Sequence, residues 1–335
     1  MGTLIEVRDL VKTHRGRGIG GAKRGFRAVD GVSLSIARNE SYGLVGESGC
    51  GKTTFARAVL YLDPPSSGKV IFDGAELGAL SRRSLRSFRK RMQIVFQDPN
   101  SALNPKMSIE DSLSEGMINR GLPKAEREKR VKELLDLVGI SYAYRNRYPH
   151  EFSGGQKQRI VVARALSMEP EFLVLDEPVS NLDVSIQAQI INLLSELKEK
   201  FSLTYLFISH DLNLVSYLCD TIGVMFKGRI VEEASSETLM ADPKHPYTRR
   251  LLASIPGGAE RTGSGVTDEE ESPEVLAARA ASRQAAASGC PYFPFCPLGD
   301  GECASSAPSL SETGVGHVVS CHKAGPAESR PTQGA

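Results

Sequence analysis

The first 250 residues alternate between short apolar runs and longer stretches with a helical period. The apolar runs predict β-strands at residues 4–7, 32–36, 42–45, 69–72, 93–96, 172–175 and 204–208. Helical spacing covers residues 125–138 and 186–201, and another helix is expected to begin at Lys52 and end before Pro64. Strands that alternate with helices predict an α/β fold with a mainly parallel sheet. A hairpin is expected over residues 221–231, with Lys227 and Gly228 at its turn.

The pattern changes near residue 256. Residues 257–289 are rich in Gly, Ala, Ser and Glu, and we interpret them as a linker. Four of the six cysteines follow within residues 290–325, and residues 326–335 are expected to be a disordered tail. The sequence thus predicts a main domain over residues 1–256, followed by a small cysteine-rich segment.

Charge and hydropathy narrow the functional class. The formal net charge is +1, so no strong overall field attracts nucleic acid. No apolar run approaches the roughly 18 residues of a membrane-spanning helix. The N-terminal residues become charged before the apolar core of a signal peptide could form, so we expect a cytosolic protein.

One segment between a predicted strand and a predicted helix matches the phosphate-loop pattern G-x-x-x-x-G-K-[ST]. It consists of Gly46, Glu47, Ser48, Gly49, Cys50, Gly51, Lys52 and Thr53. Glycines let backbone N–H groups approach phosphate oxygens, and the start of a helix adds positive potential. Lys52 would contact the β- and γ-phosphates of a nucleotide, and the hydroxyl of Thr53 suits Mg²⁺. The alternative is a glycine turn with an incidental lysine.

A second pattern is an apolar strand that ends in two carboxylates. Residues 172–175 lead directly into Asp176 and Glu177. Beside a phosphate loop, Asp176 would hold Mg²⁺ and its waters, and Glu177 would act as general base toward the attacking water. A solvated acidic turn is the alternative.

A third pattern, Ser153, Gly154, Gly155 and Gln156, opens an apolar helical stretch just ahead of the acidic strand. Alone, it could be a glycine turn that caps a helix. In this position, however, the sequence resembles the ATP-binding-cassette ATPases, whose signature motif is Ser-Gly-Gly-Gln. Three more positions match the family in order: Gln97 resembles the Q-loop glutamine, residues 180–183 resemble the D-loop, and His210 resembles the switch histidine.

The resemblance implies a P-loop core, with an antiparallel β subdomain and a helical subdomain over about residues 98–165. It implies ATP and Mg²⁺ as cofactors and assigns catalysis to Glu177, His210, Lys52 and Gln97. The implied Mg²⁺ contacts are Thr53, Gln97 and Asp176. The other implied nucleotide contacts are Thr54, the rest of the phosphate loop, Ser153, Gly154, Gly155, Gln156 and Asp183. Where the family stacks an aromatic ring on adenine, this chain has His14, with Phe26 as the alternative.

Three segments narrow the resemblance to the ATPases of oligopeptide and dipeptide importers: residues 103–105, 183–189 and 242–248. That family implies a motor in which two ATPase subunits close head-to-tail around two ATP molecules. Importers of this branch commonly use two different ATPase chains, so we expect a different chain as the second subunit, with a copy of this chain as the alternative. Two transmembrane permease subunits and an external solute-binding protein complete the system, so the chain is expected at the cytoplasmic face of the inner membrane. The alternatives are the same motor for nickel or sugar, and a soluble, non-transport cassette ATPase. No nucleic-acid partner is expected.

The last cysteines, Cys290, Cys296, Cys303 and Cys321, lie in a turn-rich segment too small for a core of its own. Free thiols, a structural zinc ion and an iron–sulfur cluster are the alternatives. The spacing lacks the C-x₂₋₄-C pair that zinc sites usually contain. Some peptide-importer ATPases carry a four-iron cluster in this region, and the resemblance extends to these positions. We therefore favour a [4Fe–4S] cluster bound by all four cysteines over Zn²⁺.

Overall fold

The computed structural model of the chain describes residues 2–15, 25–254 and 289–324. These residues form two compact units. Among them, unit 1 contains residues 2–15, 25–42 and 53–210, and unit 2 contains residues 43–52, 211–254 and 289–324. The predicted tail and all of the predicted linker except residue 289 lie outside the described residues.

Unit 1 contains an antiparallel sheet, a parallel sheet and most of the helices. The antiparallel sheet has the order β2-β1-β4-β5, with β1 at Thr3–Arg15, β2 at Gly25–Ala37, β4 at Ser67–Phe72 and β5 at Ala75–Glu76. The parallel strands have the order β6-β7-β8, with β6 at Met92–Val95, β7 at Phe172–Asp176 and β8 at Thr204–Ser209. The strand β3 (Ser41–Val45) is divided between the two units.

All five residues of β7 and all six of β8 are buried, as continuous apolar runs in a parallel sheet require. The helices of unit 1 are α1 (Lys52–Val59, which begins on the last residue of unit 2), α2 (Arg82–Arg91), α3 (Pro99–Ala102), α4 (Ile109–Asn119), α5 (Lys124–Leu137), α6 (Gly154–Leu166) and α7 (Val184–Phe201). The predicted helical face of α5 is confirmed, because Val131, Leu134, Leu135 and Val138 are all buried.

Unit 2 is built on an antiparallel sheet with the order β11-β12-β10-β9. The strands are β9 (Thr221–Phe226), β10 (Arg229–Ser235), β11 (Ser311–Gly314) and β12 (His317–Val319). The helices are α8 (Leu212–Leu218), α9 (Ser236–Ala241), α10 (Pro246–Ala253) and α11 (Gly301–Ser305). The hairpin β9–β10 is confirmed, and Lys227 and Gly228 at its turn both have positive φ, as a tight hairpin turn requires.

The cysteine-rich segment is joined to the rest of unit 2 through a strand. Among the described residues, none of its four cysteines forms a disulfide bond. Its strand β12 pairs with β10, with Glu232 opposite Val319 and Glu233 opposite Val318. The cysteine-rich segment is thus held by strand pairing to the sheet of unit 2. The sequence argument considered only a core within the segment and could not predict this pairing.

No helix among the described residues is long and apolar enough to cross a membrane.

Candidate functional site

The acidic end of β7 forms the centre of the site in unit 1. Asp176 is buried, and its Oδ1 accepts a hydrogen bond from Thr53 Oγ1 at 3.1 Å. Glu177 follows with φ of 48°, a left-handed conformation that is unusual for glutamate. Its backbone N–H donates to the carbonyl of Ile208 on β8 at 2.9 Å. The neighbouring parallel strand therefore holds Glu177 in this backbone conformation, which places its carboxylate at the end of the sheet.

Two predicted residues converge on that carboxylate. Gln97 Nε2 donates to Glu177 Oε2 at 3.3 Å, and the Nδ1 atom of His210 lies 3.4 Å from the same oxygen. Gln97 Nε2 also lies 3.3 Å from Ser180 Oγ. Glu177, Gln97 and His210 come from three separate strand ends, because β6, β7 and β8 are parallel and end at one edge. This geometry suits a carboxylate that takes a proton from a bound water.

The phosphate loop lies in unit 2, up to Lys52. Gly49 and Gly51 have φ of 82° and 115°, conformations that glycine adopts without strain. Glu47, Ser48 and Gly49 are exposed, whereas Gly46 and Cys50 are buried. A Cβ atom at Gly46 would lie 2.2 Å from the carbonyl oxygen of Met225, so only glycine fits there.

Lys52 is buried, with 5% of its surface exposed. Its Nζ donates to the carbonyl oxygens of Gly46 at 2.5 Å and Glu47 at 3.1 Å. The ammonium group is thus held by the loop it belongs to, where the phosphates of a nucleotide would compete for it. The chain continues from Lys52 into α1, whose first turn carries Thr53 and Thr54.

The signature residues form the N-terminus of α6. Ser153 Oγ accepts from the backbone N–H of Gln156 at 3.4 Å, and Gln156 Oε1 accepts from the N–H of Ser153 at 3.0 Å. This capping box fixes the start of the helix. A Cβ at Gly155 would lie 2.6 Å from Ile186 Cγ2, and one at Gly154 would lie 3.4 Å from Leu182 Cδ2. Gly155 therefore allows α6 to approach α7 closely, whereas the contact at Gly154 is an ordinary one.

The remaining predicted contacts are exposed. Asp183 precedes α7, and its side chain makes no capping hydrogen bond. His14 lies opposite Phe26 in the β1–β2 register, and both side chains are exposed. Directly opposed residues in an antiparallel pair lie about 5 Å apart, so the two alternatives for adenine stacking share one patch.

The four C-terminal cysteines differ in exposure. Cys290 and Cys303 are buried, and the N–H of Cys290 donates to the carbonyl of Cys303 at 2.8 Å. Burial raises the pKa of Cys290, Cys296 and Cys303. Among residues 2–15, 25–254 and 289–324, no three His, Cys, Asp or Glu side chains form a group that could hold a metal ion. The predicted [4Fe–4S] cluster and its zinc alternative are therefore not supported by this geometry.

One residue near the loop was missed. Tyr247 lies in the segment 242–248 that resembles the peptide importers, yet no sequence pattern connects it with the phosphate loop. In the structure its hydroxyl accepts a hydrogen bond from the backbone N–H of Glu47 at 2.9 Å. The contact joins positions 200 residues apart in the chain, so no local pattern could reveal it.

Two family models match the chain. Residues 29–180 match the family described as ABC transporter, and residues 231–303 match the one described as oligopeptide/dipeptide transporter, C-terminal region. The first match spans the phosphate loop, Gln97, the signature and the acidic strand. The second begins on β10 and ends at Cys303.

Solved structures and curated relatives agree with these matches. Two solved ATP-binding cassettes share the fold. CbiO1 of Clostridium perfringens has a TM-score of 0.63 and 30% sequence identity, and the match covers 76% of this chain and 95% of CbiO1. Dimeric MJ0796, bound to ADP and phosphate, has a TM-score of 0.62 and 28% identity, and the match covers 70% of this chain and 99% of MJ0796. The oligopeptide transport ATP-binding protein AppF of Bacillus subtilis is 44% identical over 324 residues, which cover 96% of this chain and 97% of AppF. Similarity over almost the whole of both chains, together with the site in unit 1, shows that this chain belongs to the ATP-binding-cassette ATPases of the oligopeptide/dipeptide transporter family.

Proposed function

We propose that this chain is the ATP-hydrolysing subunit that powers the import of di- or oligopeptides through a membrane transporter. The convergence of Gln97 and His210 on the carboxylate of Glu177 carries the proposal of hydrolysis. The peptide class is supported by the match at residues 231–303 and by the relatives named for oligopeptide transport.

The residues divide the chemistry between them. Glu177 takes the proton of the attacking water, and His210 and Gln97 hold its carboxylate and that water in place. Lys52 and the loop amides hold the β- and γ-phosphates, and either His14 or Phe26 stacks on adenine. ATP brings Mg²⁺, whose positive charge stabilises the charge that develops on the phosphates. Thr53 and Asp176 supply a hydroxyl and a carboxylate only 3.1 Å apart, which fits an ion that takes few protein ligands and keeps phosphate and water oxygens.

The proposed assembly is a head-to-tail dimer of two ATPase subunits. The signature residues Ser153–Gln156 and Asp183 of one subunit face the ATP held by the phosphate loop of the other. The similar cassette MJ0796 is dimeric with ADP and phosphate bound, which supports a dimer as the assembly. Closure of the ATPase dimer then changes the conformation of two permease subunits, to which an external binding protein delivers the solute. The chain works on the cytoplasmic face of the inner membrane as a peripheral subunit, with a different ATPase chain as its partner.

Uptake in cells tests the solute. A strain that lacks this chain is complemented with the wild type, Lys52→Ala, or Lys90→Ala, which removes an exposed lysine of α2. We expect Lys52→Ala to abolish uptake of a labelled peptide and Lys90→Ala to preserve it. Loss of nickel or sugar uptake with peptide uptake intact would instead favour the same motor for another solute. If no uptake depends on Lys52, a non-transport cassette ATPase becomes the better interpretation.

The [4Fe–4S] cluster at the four C-terminal cysteines, with Zn²⁺ as the alternative, is also a proposal. It is supported by the family resemblance at these positions and by the hydrogen bond of the Cys290 N–H to the carbonyl of Cys303, at 2.8 Å, which brings two of the four cysteines together. We expect anaerobically purified protein to contain about four irons per chain, with a broad absorption near roughly 400 nm. Cys296→Ser should remove the iron, while Cys219→Ser, at a buried cysteine outside the set, should retain it. One zinc and no iron would establish the alternative.

A further inference from the structure

The phosphate loop of unit 2 is supported from outside by the hairpin β9–β10 and by α10. The carbonyl of Cys50 accepts a hydrogen bond from the N–H of Gly228 at 2.8 Å, in the hairpin turn. Gly46 packs directly against the carbonyl of Met225 on β9. The third support is the hydroxyl of Tyr247, which accepts from the N–H of Glu47.

The peptide unit between Gly46 and Glu47 is held at both ends. A trans peptide points its C=O and N–H in opposite directions. Here the carbonyl of Gly46 accepts from Lys52 Nζ at 2.5 Å, and the N–H of Glu47 donates to Tyr247 Oη at 2.9 Å. Rotation of this peptide would break the bond to Tyr247 and move the carbonyl that holds the ammonium group of Lys52. Tyr247 and the ammonium group of Lys52 are therefore linked through one peptide plane.

Tyr247 is itself fixed by its surroundings. It is fully buried at the start of α10, after Pro246 at the first helical position. Its N–H donates to Nδ1 of His245, which caps the helix, at 3.0 Å. Its ring lies 4.7 Å from that of Phe226 on β9, measured between centroids. The hydroxyl is thus set in place by a capped helix and a strand.

The cysteine-rich segment completes this packing with Tyr292. That residue is 3% exposed, and its ring centroid lies 5.5 Å from Tyr247 and 5.2 Å from Phe226. Lys227 Nζ donates to the carbonyl of Pro291 at 3.3 Å, which joins the hairpin turn to the same segment. Tyr292 closes one side of the pocket in which the ring of Tyr247 sits.

We propose that Tyr247 is a positioning residue for the phosphate loop, and that Tyr292 transmits the packing of the cysteine-rich segment to it. This inference rests on the proposed role of the loop in binding ATP. It gives the C-terminal segment a part in setting nucleotide affinity through the position of the phosphate loop.

The test compares two buried tyrosines in the full-length chain. Tyr247→Phe removes the hydroxyl and keeps the ring. Tyr205→Phe is the matched control, because Tyr205 is also fully buried and its hydroxyl donates to a backbone carbonyl, that of Leu194, at 2.9 Å. We expect Tyr247→Phe to raise the KM for ATP roughly three- to tenfold, the scale of one lost hydrogen bond, and to change kcat less than about twofold. Tyr205→Phe should lower the melting temperature without changing the KM.

The role of Tyr292 is tested by a double-mutant cycle. Tyr292→Leu should weaken ATP binding in the same direction as Tyr247→Phe, and the two together should weaken it no further than the stronger single change. Fully additive losses would show that Tyr292 does not act through Tyr247.

Lys52→Ala separates this inference from the proposed function. If Lys52→Ala loses ATP binding while Tyr247→Phe keeps the wild-type KM, the loop binds ATP and the positioning role is wrong. If Lys52→Ala binds ATP as the wild type does, the proposed function itself fails.

Discussion

His245 makes the stability of unit 2 depend on pH. Its side chain is 1% exposed, and burial lowers its pKa from 6.5 to about 4, although the charge of Glu232 acts in the opposite direction. The Nδ1 atom accepts a hydrogen bond from the N–H of Tyr247, a role that the unprotonated ring performs. The folded protein therefore takes up this proton only near pH 4, whereas the unfolded chain takes it up near pH 6.5.

The sign of the effect follows from this difference. Protons bind the unfolded chain more tightly, so acid favours unfolding. The contribution of His245 is complete above about pH 6.5 and is lost progressively as the pH falls toward 4. A tenfold change in proton affinity corresponds to about 1.4 kcal/mol, so the full loss amounts to about 3 kcal/mol. That is a large part of the stability of an ordinary domain.

The assay compares the wild type with His245→Asn. The Oδ1 atom of asparagine can accept the same N–H bond and does not titrate in this range. Urea unfolding followed by circular dichroism at pH 7, 6, 5 and 4.5 suits a chain without tryptophan. We expect the unfolding free energy of the wild type to fall by up to about 3 kcal/mol more than that of His245→Asn.

His150→Asn is the control for replacing a histidine by asparagine, because His150 is exposed and lies in unit 1. Other groups, such as the paired carboxylates of Asp73 and Glu171, contribute equally to all three proteins and cancel in the comparison. Parallel pH curves for the wild type and His245→Asn would refute the argument that burial disfavours the charged form of His245.

Three further predictions concern the ATPase site. Glu177→Gln should retain ATP binding and lower turnover by about 100-fold or more in the assembled transporter, and near-normal turnover would remove Glu177 from the role of base. Gln97→Ala should weaken the stimulation of hydrolysis by transported solute more than it weakens ATP binding, and solute titrations of ATPase activity would show unchanged stimulation if coupling runs elsewhere. Ser153→Arg should impair hydrolysis of the ATP bound by the partner subunit, whereas Lys52→Ala should impair hydrolysis of the ATP bound by this chain. Trapping of labelled nucleotide in mixed dimers separates the two effects. Damage by both changes to the same nucleotide site would contradict the head-to-tail arrangement.

Local patterns predicted the parts of the fold that depend on neighbouring residues. The burial of β7 follows from its unbroken apolar run, and the start of α6 follows from the pairing of Ser153 with Gln156 three residues later. The nucleotide-binding motifs could be recognised because each is a short, contiguous segment whose own residues supply its chemistry. The helix Arg82–Arg91 was not predicted, because no side chain in it is buried and its only apolar residues are Leu85 and Phe88 among six basic ones.

Long-range contacts could not be predicted in this way. The hydrogen bond of Tyr247 to Glu47 and the pairing of β12 with β10 join residues far apart in the chain. The strand β1 is longer than predicted because its polar second half pairs with β2, where backbone hydrogen bonds rather than apolar side chains keep the residues extended. The approach of Gln97 and His210 to Glu177 is also a long-range contact, because it depends on three parallel strands that end at one edge of the sheet.

The pairing of β12 with β10 limits how the chain can be shortened for expression or tagging. A product that ended at residue 254 would lack β12 and would leave β10 as an open strand edge, which is prone to pair with other molecules. It would also lack His317, whose Nε2 lies 2.7 Å from the fully buried carboxylate of Glu232. Two backbone N–H groups, of Lys244 and His245, would remain as partners of that carboxylate. A shortened chain is therefore expected to aggregate on account of its exposed strand, however complete its nucleotide motifs are.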